Sequence, residues 1–171
     1  MKVILLTGVS GFIGQKTAEF LLRDGYRVIG VDNMNDYYDV NLKLYRLSLL
    51  KEHPNFKFYS IDIENQGKLK TVFNNNPIDA IINLAARAGV RYSLDNPHIY
   101  FSTNLEGTLN LLEFAKDHEI EKYVLASTSS IYAGEEMPFR EDRSVNHPIS
   151  PYAASKKAAE LVAYSYHYIY G

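Results

Sequence analysis

Tyr152 and Lys156 stand four residues apart, directly behind Ser150-Pro151. Ser150 suits a helix N-cap and Pro151 a first helical position, so the pair shares one face near a helix start. The positive end of the helix dipole favours a phenolate, and an ammonium one turn on favours it further. Such a pair suits a proton acceptor. Tyr-x-x-x-Lys is also ordinary helix surface, so the spacing alone assigns nothing. Upstream, Ser127-Thr128-Ser129-Ser130 follows the apolar stretch Lys122–Ala126. Hydroxyls at the C-terminal end of a parallel strand stand where a substrate would meet a cofactor. The same run also reads as a Ser/Thr loop making local turns.

A second constellation sits at the chain start. Val3–Leu6 is an apolar run, Gly8, Gly11 and Gly14 follow, and a helical pattern of Phe12, Ile13, Ala18, Phe20, Leu21 and Leu22 comes next. Strand, glycine turn and helix in that order form a dinucleotide site. One glycine permits the tight turn, one the approach of a pyrophosphate, one the packing of helix on strand. The helix start offers N–H groups and a positive dipole end to phosphates. A second apolar run, Arg27–Val31, ends in Asp32, 18 residues beyond Gly14. A carboxylate there suits the adenosine ribose hydroxyls and repels a 2′-phosphate, which favours NAD over NADP. Other readings are a purely structural turn for the glycines and a loop or capping acid for Asp32.

The elements that must position these groups follow in order. Asn33–Asp39 is a long polar, aromatic connection that either borders an adenosine or is surface loop. A helix through Leu42, Leu44, Tyr45, Leu47, Leu49 and Leu50 ends before Pro54. Phe56–Asp62 is a third strand, and Asp62-Ile63 sits at its ligand-gathering end. Asp62 either accepts from an adenine amino group or caps the helix from Gln66 to Asn74. Asp79–Ala86 is a fourth strand, and Leu84-Ala85-Ala86 is small enough for a flat cofactor to approach. After Arg87–Ser93, a helix runs from Pro97 to His118 on Tyr100, Leu105, Leu109, Leu112 and Ala115. Asn104 in its middle either holds a strand-end backbone group or is solvated. Lys122–Ala126 is the fifth strand, and a loop from Gly134 to Ile149 leads to the last helix, through Ala159 toward Tyr170. Strands alternating with helices predict an α/β, doubly wound parallel sheet of Rossmann-like form, helices on both faces.

Composition bounds the rest. The chain has 171 residues, suiting one domain over 1–171, and its 46% hydrophobic content supports a core. A net charge of −2 gives no electrostatic case for nucleic acid or anionic membrane. There is no cysteine, which excludes disulfides and thiolate chemistry. The five histidines are scattered without metal spacing. Met1–Gly8 faintly imitates a signal peptide, but its apolar part is short and the glycines follow at once. A cytoplasmic location is the expectation.

Thr7-Gly8-x-x-Gly11-Phe12-Ile13-Gly14, Asp32, Leu84-Ala85-Ala86, Asn104, Ser127-Thr128-Ser129 and Tyr152-x-x-x-Lys156 together resemble the extended short-chain dehydrogenase/reductase family. These are the NAD-dependent nucleotide-sugar epimerases and dehydratases. The resemblance runs over essentially the whole chain. Asn35–Asp39 and Ala88–Ser93 look most like its UDP-glucuronate 4-epimerases. The 4,6-dehydratases carry an acid pair where Ser129 and Ser130 stand. The resemblance implies that NAD is held by Gly8, Gly11, Phe12, Ile13, Gly14, Asp32, Asn33, Asp62, Ile63, Leu84, Ala85, Ala86, Asn104, Tyr152 and Lys156. It implies that Tyr152 takes the sugar 4-hydroxyl proton. Lys156 would hold the phenolate form and the nicotinamide ribose, and Thr128 would bond the same sugar oxygen. Ser127 and Ser129 would line the UDP-sugar pocket, with Arg91 and Ser93 near the sugar or its acid group. Hydride would leave C4 and return to the other face of the ketone. Asn83 and Ala133 depart from the family's His and Gly. Family members run longer, adding a domain that grips the nucleotide. The implied reading of 1–171 is an N-terminal half, without that substrate-binding domain, that binds NAD weakly and turns over little by itself. Relatives pair as homodimers through the helices that here start near Pro97 and Pro151.

Overall fold

The computed structural model describes residues 1–171. Five strands, β1 (Val3–Thr7), β2 (Arg27–Asp32), β3 (Phe56–Ser60), β4 (Ala80–Asn83) and β5 (Tyr123–Leu125), pair in parallel in the order β3-β2-β1-β4-β5. Thr7 lies beside Val31 on one side and Asn83 on the other. The chain winds outward through β2 and β3, then crosses back to β4. The reversal falls between β1 and β4, where a crevice opens above the strands' C-terminal ends.

Helices α1 (Phe12–Arg23) and α2 (Val40–Lys51) cover one face, burying Leu6, Val9, Ala18, Leu22, Val28 and Leu50. The other face carries α3 (Gln66–Asn74), α4 (Val90–Asp95), α5 (Pro97–Tyr100), α6 (Gly107–Asp117) and α7 (Pro151–Tyr170). Its core joins Leu5, Ile29, Val31 and Ile81 of the sheet to Leu69, Val72, Phe73 and Leu111 of the helices. Beyond β1, the α1–α2 face of the sheet has no helix over it, and Val124 of β5 is 56% exposed there.

Several expectations need correction. In α1, Phe12, Ile13 and Phe20 point to solvent, while Gly14, Ala18 and Leu22 face the sheet. In α2, Leu42, Leu44, Tyr45 and Leu49 are exposed, and Lys43, Leu47 and Leu50 turn inward. Strand β4 stops at Asn83, so Leu84–Ala86 is loop. The helix expected from Pro97 to His118 is interrupted by a π-turn, Phe101–Glu106, between α5 and α6. The wider turn shifts the helical phase, so Leu111 is fully buried while Leu109 is exposed. Asp62 does not cap α3, because Asn65 does, accepting from Lys68 N at 3.0 Å. Asn83 is a buried junction, accepting from Thr7 Oγ1 at 2.6 Å and donating to Thr108 Oγ1 at 3.1 Å and Tyr123 at 3.2 Å.

Candidate functional site

The crevice between β1 and β4 begins at the glycine turn. Gly8 has φ +66°, a left-handed conformation that a side chain strains. A Cβ at Gly14 would stand 2.1 Å from the Gly8 carbonyl oxygen, so only glycine lets α1 seat this close. No side chain caps the start of α1, and the buried Ser10 hydroxyl has no partner. Open first-turn N–H groups, a close glycine cradle and an unpartnered hydroxyl together fit a diphosphate. The Phe12 and Ile13 side chains lie outside the groove, so any part they take there is through backbone.

Asp32, 8% exposed, closes the end of β2. Its Oδ2 accepts from Ser10 N at 3.1 Å and its Oδ1 from Met34 N at 2.9 Å. The acid therefore ties the glycine turn to the neighbouring strand. The segment after it is a groove wall. Asn33 donates to Asp62 Oδ2 at 2.7 Å, and Lys43 Nζ donates to Asn35 Oδ1 at 3.0 Å. Lys43 is 4% exposed and lies 4.0 Å from Asp32 Oδ1. Burial pushes this lysine down, and Asp32 pulls it back up. Asp62, Ile63 and Thr103 lie along the groove, with Leu84, Ala85 and Ala86 opposite. The groove is open to solvent along its length.

The facing wall is set by Thr7 and Asn104. Thr7 Oγ1 accepts from Ala85 N at 3.1 Å. Asn104, fully buried in the π-turn, accepts from Arg87 N at 2.7 Å and donates to Arg87 O at 3.0 Å. Of the two readings of Asn104, the structure takes the backbone-holding one. Its amide also donates to Ser155 Oγ at 2.9 Å, which joins the wall to α7.

Helix α7 starts as its first residues dictate: Ser150 Oγ accepts from Ala153 N at 3.1 Å, and Pro151 opens the first turn. Tyr152 is half-buried, with its ring edge-on to Tyr100 at 5.9 Å. Lys156, one turn on, is 3% exposed. Desolvation pushes it down to about 8 against the opposing pull of Glu160.

Thr128 Oγ1 accepts from Ser130 N at 3.1 Å, capping the short 3-10 turn Ser129–Tyr132. Ser127 donates to Glu160 of α7, and Ser129 is exposed. Arg91 is exposed on α4, whereas Ser93 is fully buried and donates to Val90 O at 2.6 Å. The groove is thus walled along its nucleotide end, while Thr128, Tyr152 and Lys156 stand outside its lining, joined to it through the Tyr100 ring beside Tyr152.

Asn35, Tyr37 and Tyr38 line the groove, so of the two readings of Asn33–Asp39 the structure favours the bordering one. The sequence assigned no site role to Lys43, which also lines it, or to Tyr100 and Ser155, which support it. Lys43 had a signal: it shares the inward phase of α2 with Leu47 and Leu50, where a lysine needs a reason. Ser155 likewise stands on the buried side of α7 beside Lys156 and Ala159.

A family model described as GDP-mannose 4,6 dehydratase matches residues 5–171. A UDP-glucuronate 4-epimerase of Thermodesulfobacterium geofontis is 60% identical over 171 residues, which is 100% of this chain and 53% of that one. A probable UDP-glucuronate 4-epimerase of Rhizobium meliloti is 44% identical over 97% of this chain and 49% of that one. Among solved structures, a UDP-glucuronic acid 4-epimerase from Bacillus cereus in complex with UDP-glucuronic acid and NAD superposes with a TM-score of 0.88. It is 32% identical and covers 99% of this chain and 53% of that one. The chain spans about half the length of the curated relatives it matches.

Proposed function

We infer the function from the premise that this chain belongs to the GDP-mannose 4,6 dehydratase family of NAD-dependent nucleotide-sugar epimerases and dehydratases. Our reading is that residues 1–171 are the dinucleotide-binding half of a UDP-glucuronate 4-epimerase, with NAD as cofactor. One observation carries it. Lys156 is buried one turn beyond Tyr152, a costly placement that core packing does not need.

In this reading the glycine turn and the start of α1 take the diphosphate of NAD, and Asp32 takes the adenosine ribose. Asn33, Asp62 and Ile63 border the adenine side, and Leu84–Ala86 lie along the other wall. Asn104 acts on that wall through Arg87, without touching the cofactor. NAD, when bound, would supply the hydride chemistry at the sugar C4. Tyr152 accepts the 4-hydroxyl proton as the hydride leaves and gives it back when the ketone is reduced on its other face. Lys156 stabilises the phenolate by its charge, and Thr128 bonds the same sugar oxygen. Ser127, Ser129 and Arg91 stand at the rim for the sugar. Ser93 serves by holding α4 rather than by contact. A further domain grips the UDP, and partner copies meet through the helices starting at Pro97 and Pro151. No helix is long and apolar enough to cross a membrane.

The family model's description favours a second reading, sugar 4,6-dehydration. Ser129 and Ser130, where an acid pair would be needed to eliminate water, speak against it. The test is to incubate the protein at full length with NAD and UDP-glucuronate and follow the sugar protons by NMR. We expect UDP-galacturonate, lost in Tyr152→Phe, while residues 1–171 alone bind NAD weakly and turn over little. A 4-keto-6-deoxy product from UDP-glucose, or rapid epimerisation by 1–171 alone, overturns the reading.

A further inference from the structure

The two groove walls are fastened to each other by tyrosines outside the glycine and Tyr-Lys motifs. Tyr37, on the wall after β2, donates its hydroxyl to the Ala88 carbonyl on the wall after β4. Tyr100, fully buried, donates to the Ala88 and Gly89 carbonyls, each at 2.9 Å. The two hydroxyls stand 3.4 Å apart, and Arg87 lies 5.6 Å over the Tyr37 ring. No other hydrogen bond crosses between Asn33–Lys43 and Leu84–Gly89. The remaining ties run elsewhere, among them Asn33 to Asp62, Tyr38 to Ser10, Ala85 to Thr7 and Arg87 to Asn104. Gly89 leaves no slack, since at φ +103° a Cβ there would meet the Tyr37 hydroxyl at 2.8 Å. The Tyr100 ring then packs edge-on against Tyr152, 5.9 Å between centroids.

We propose that Tyr37 is a positioning residue of the dinucleotide site, holding the two walls at a fixed span and, through Tyr100, tying that span to the Tyr152 ring. The proposal rests on the nucleotide reading above. Both walls are loops, and loops without a cross-tie drift apart on fast timescales. A ligand bound between drifting walls must first order them, which lowers its affinity. With the tie, that ordering is already present in the free chain. The same tie links the nucleotide groove to the proton-transferring side chain, through one buried ring.

The test titrates NAD into the protein at full length by calorimetry and follows Tyr152 in ¹³C-tyrosine NMR spectra of the ligand-free protein. Tyr37→Phe keeps the ring and removes the hydroxyl. The residue is 37% exposed, so the core stays intact. Gly89→Ala disturbs the same tie from the opposite wall. For Tyr37→Phe, Kd is expected to rise about 3–10-fold, the scale of one neutral hydrogen bond. The Tyr152 ring resonances are expected to move, while the urea midpoint changes little. Gly89→Ala is expected to move Kd and the Tyr152 signal in the same direction. An unchanged Kd, or a raised Kd with Tyr152 unmoved, overturns the proposal and leaves the nucleotide reading standing. A parent chain that does not bind NAD at all overturns both.

Discussion

The nucleotide end of the groove and the Thr128–Tyr152 region are built on opposite principles. At the nucleotide end most polar side chains answer another within the chain, the Ser10 hydroxyl and Arg87 Nε excepted. Asp32 is bonded to Ser10 and Met34, Asn33 to Asp62, and Asn104 to both backbone groups of Arg87. In the other region, Ser129 and Arg91 are exposed, and Lys156 is buried at a cost in desolvation. The first region is shaped by bonds that stabilise the fold. The second keeps groups in states the fold alone does not favour. Regions under the second rule are where chemistry is expected, since function is bought with local stability there.

The largest test of this contrast is Gly14→Ala. Its Cβ would meet the Gly8 carbonyl oxygen at 2.1 Å, and neither backbone can retreat without moving α1 off the sheet. A loss of at least about 3 kcal/mol in urea denaturation is expected. Asn104→Ala comes next. It strips both partners from the Arg87 backbone and one from Ser155 inside the protein, and roughly 2–4 kcal/mol of stability should go with them. A near-neutral result for either would mean the nucleotide end is not the stable half.

Lys156→Met sharpens the contrast by reversing its sign. A methionine of similar length removes a buried charge, and a gain of roughly 1–3 kcal/mol at pH 7 is expected, with proton-transfer chemistry lost. The pH dependence follows from linkage. Burial pushes Lys156 down to about 8 in the folded chain from the ordinary lysine value of 10.5, so between those values the unfolded chain binds more protons. Below about pH 8 both states carry the charge and the penalty is complete. Stability from this group should therefore rise as pH goes from about 8 toward 10.5, and that rise should be missing in Lys156→Met. A destabilised variant at pH 7 would show that the ammonium is held by a favourable interaction, and the comparison would fail.

Much of this was legible in the sequence because single residues carried single physical demands. Gly8, Gly11 and Gly14 required a close turn, Ser150-Pro151 required a helix start, and Asp32 had to end an apolar strand. The π-turn at Phe101–Glu106 was not legible, because periodicity assumes an unbroken helical turn and Asn104 reads equally as a solvated residue. The cross-wall tie was hidden for another reason. Tyr37, Ala88 and Tyr100 are far apart in sequence, and their meeting depends on two loop conformations that no local pattern encodes. The inward face of α2 was misread because Leu42, Leu44, Tyr45 and Leu49 outnumber the residues that point in.

The smallest expected effect comes from the rim itself. Ser127 donates to Glu160, and Glu160 also accepts from Lys157 at 3.0 Å, so the acid keeps a partner when the serine is truncated. Both serines at 127 and 129 are exposed, and water replaces whatever they lose. Ser127→Ala and Ser129→Ala should therefore each stay within about 0.5 kcal/mol of the parent in urea denaturation. Their NAD affinity should also match the parent, because neither hydroxyl lies along the nucleotide groove. If the rim serves a sugar, the loss appears only in turnover, and a drop in stability instead would move Ser127 from the chemistry into the scaffold.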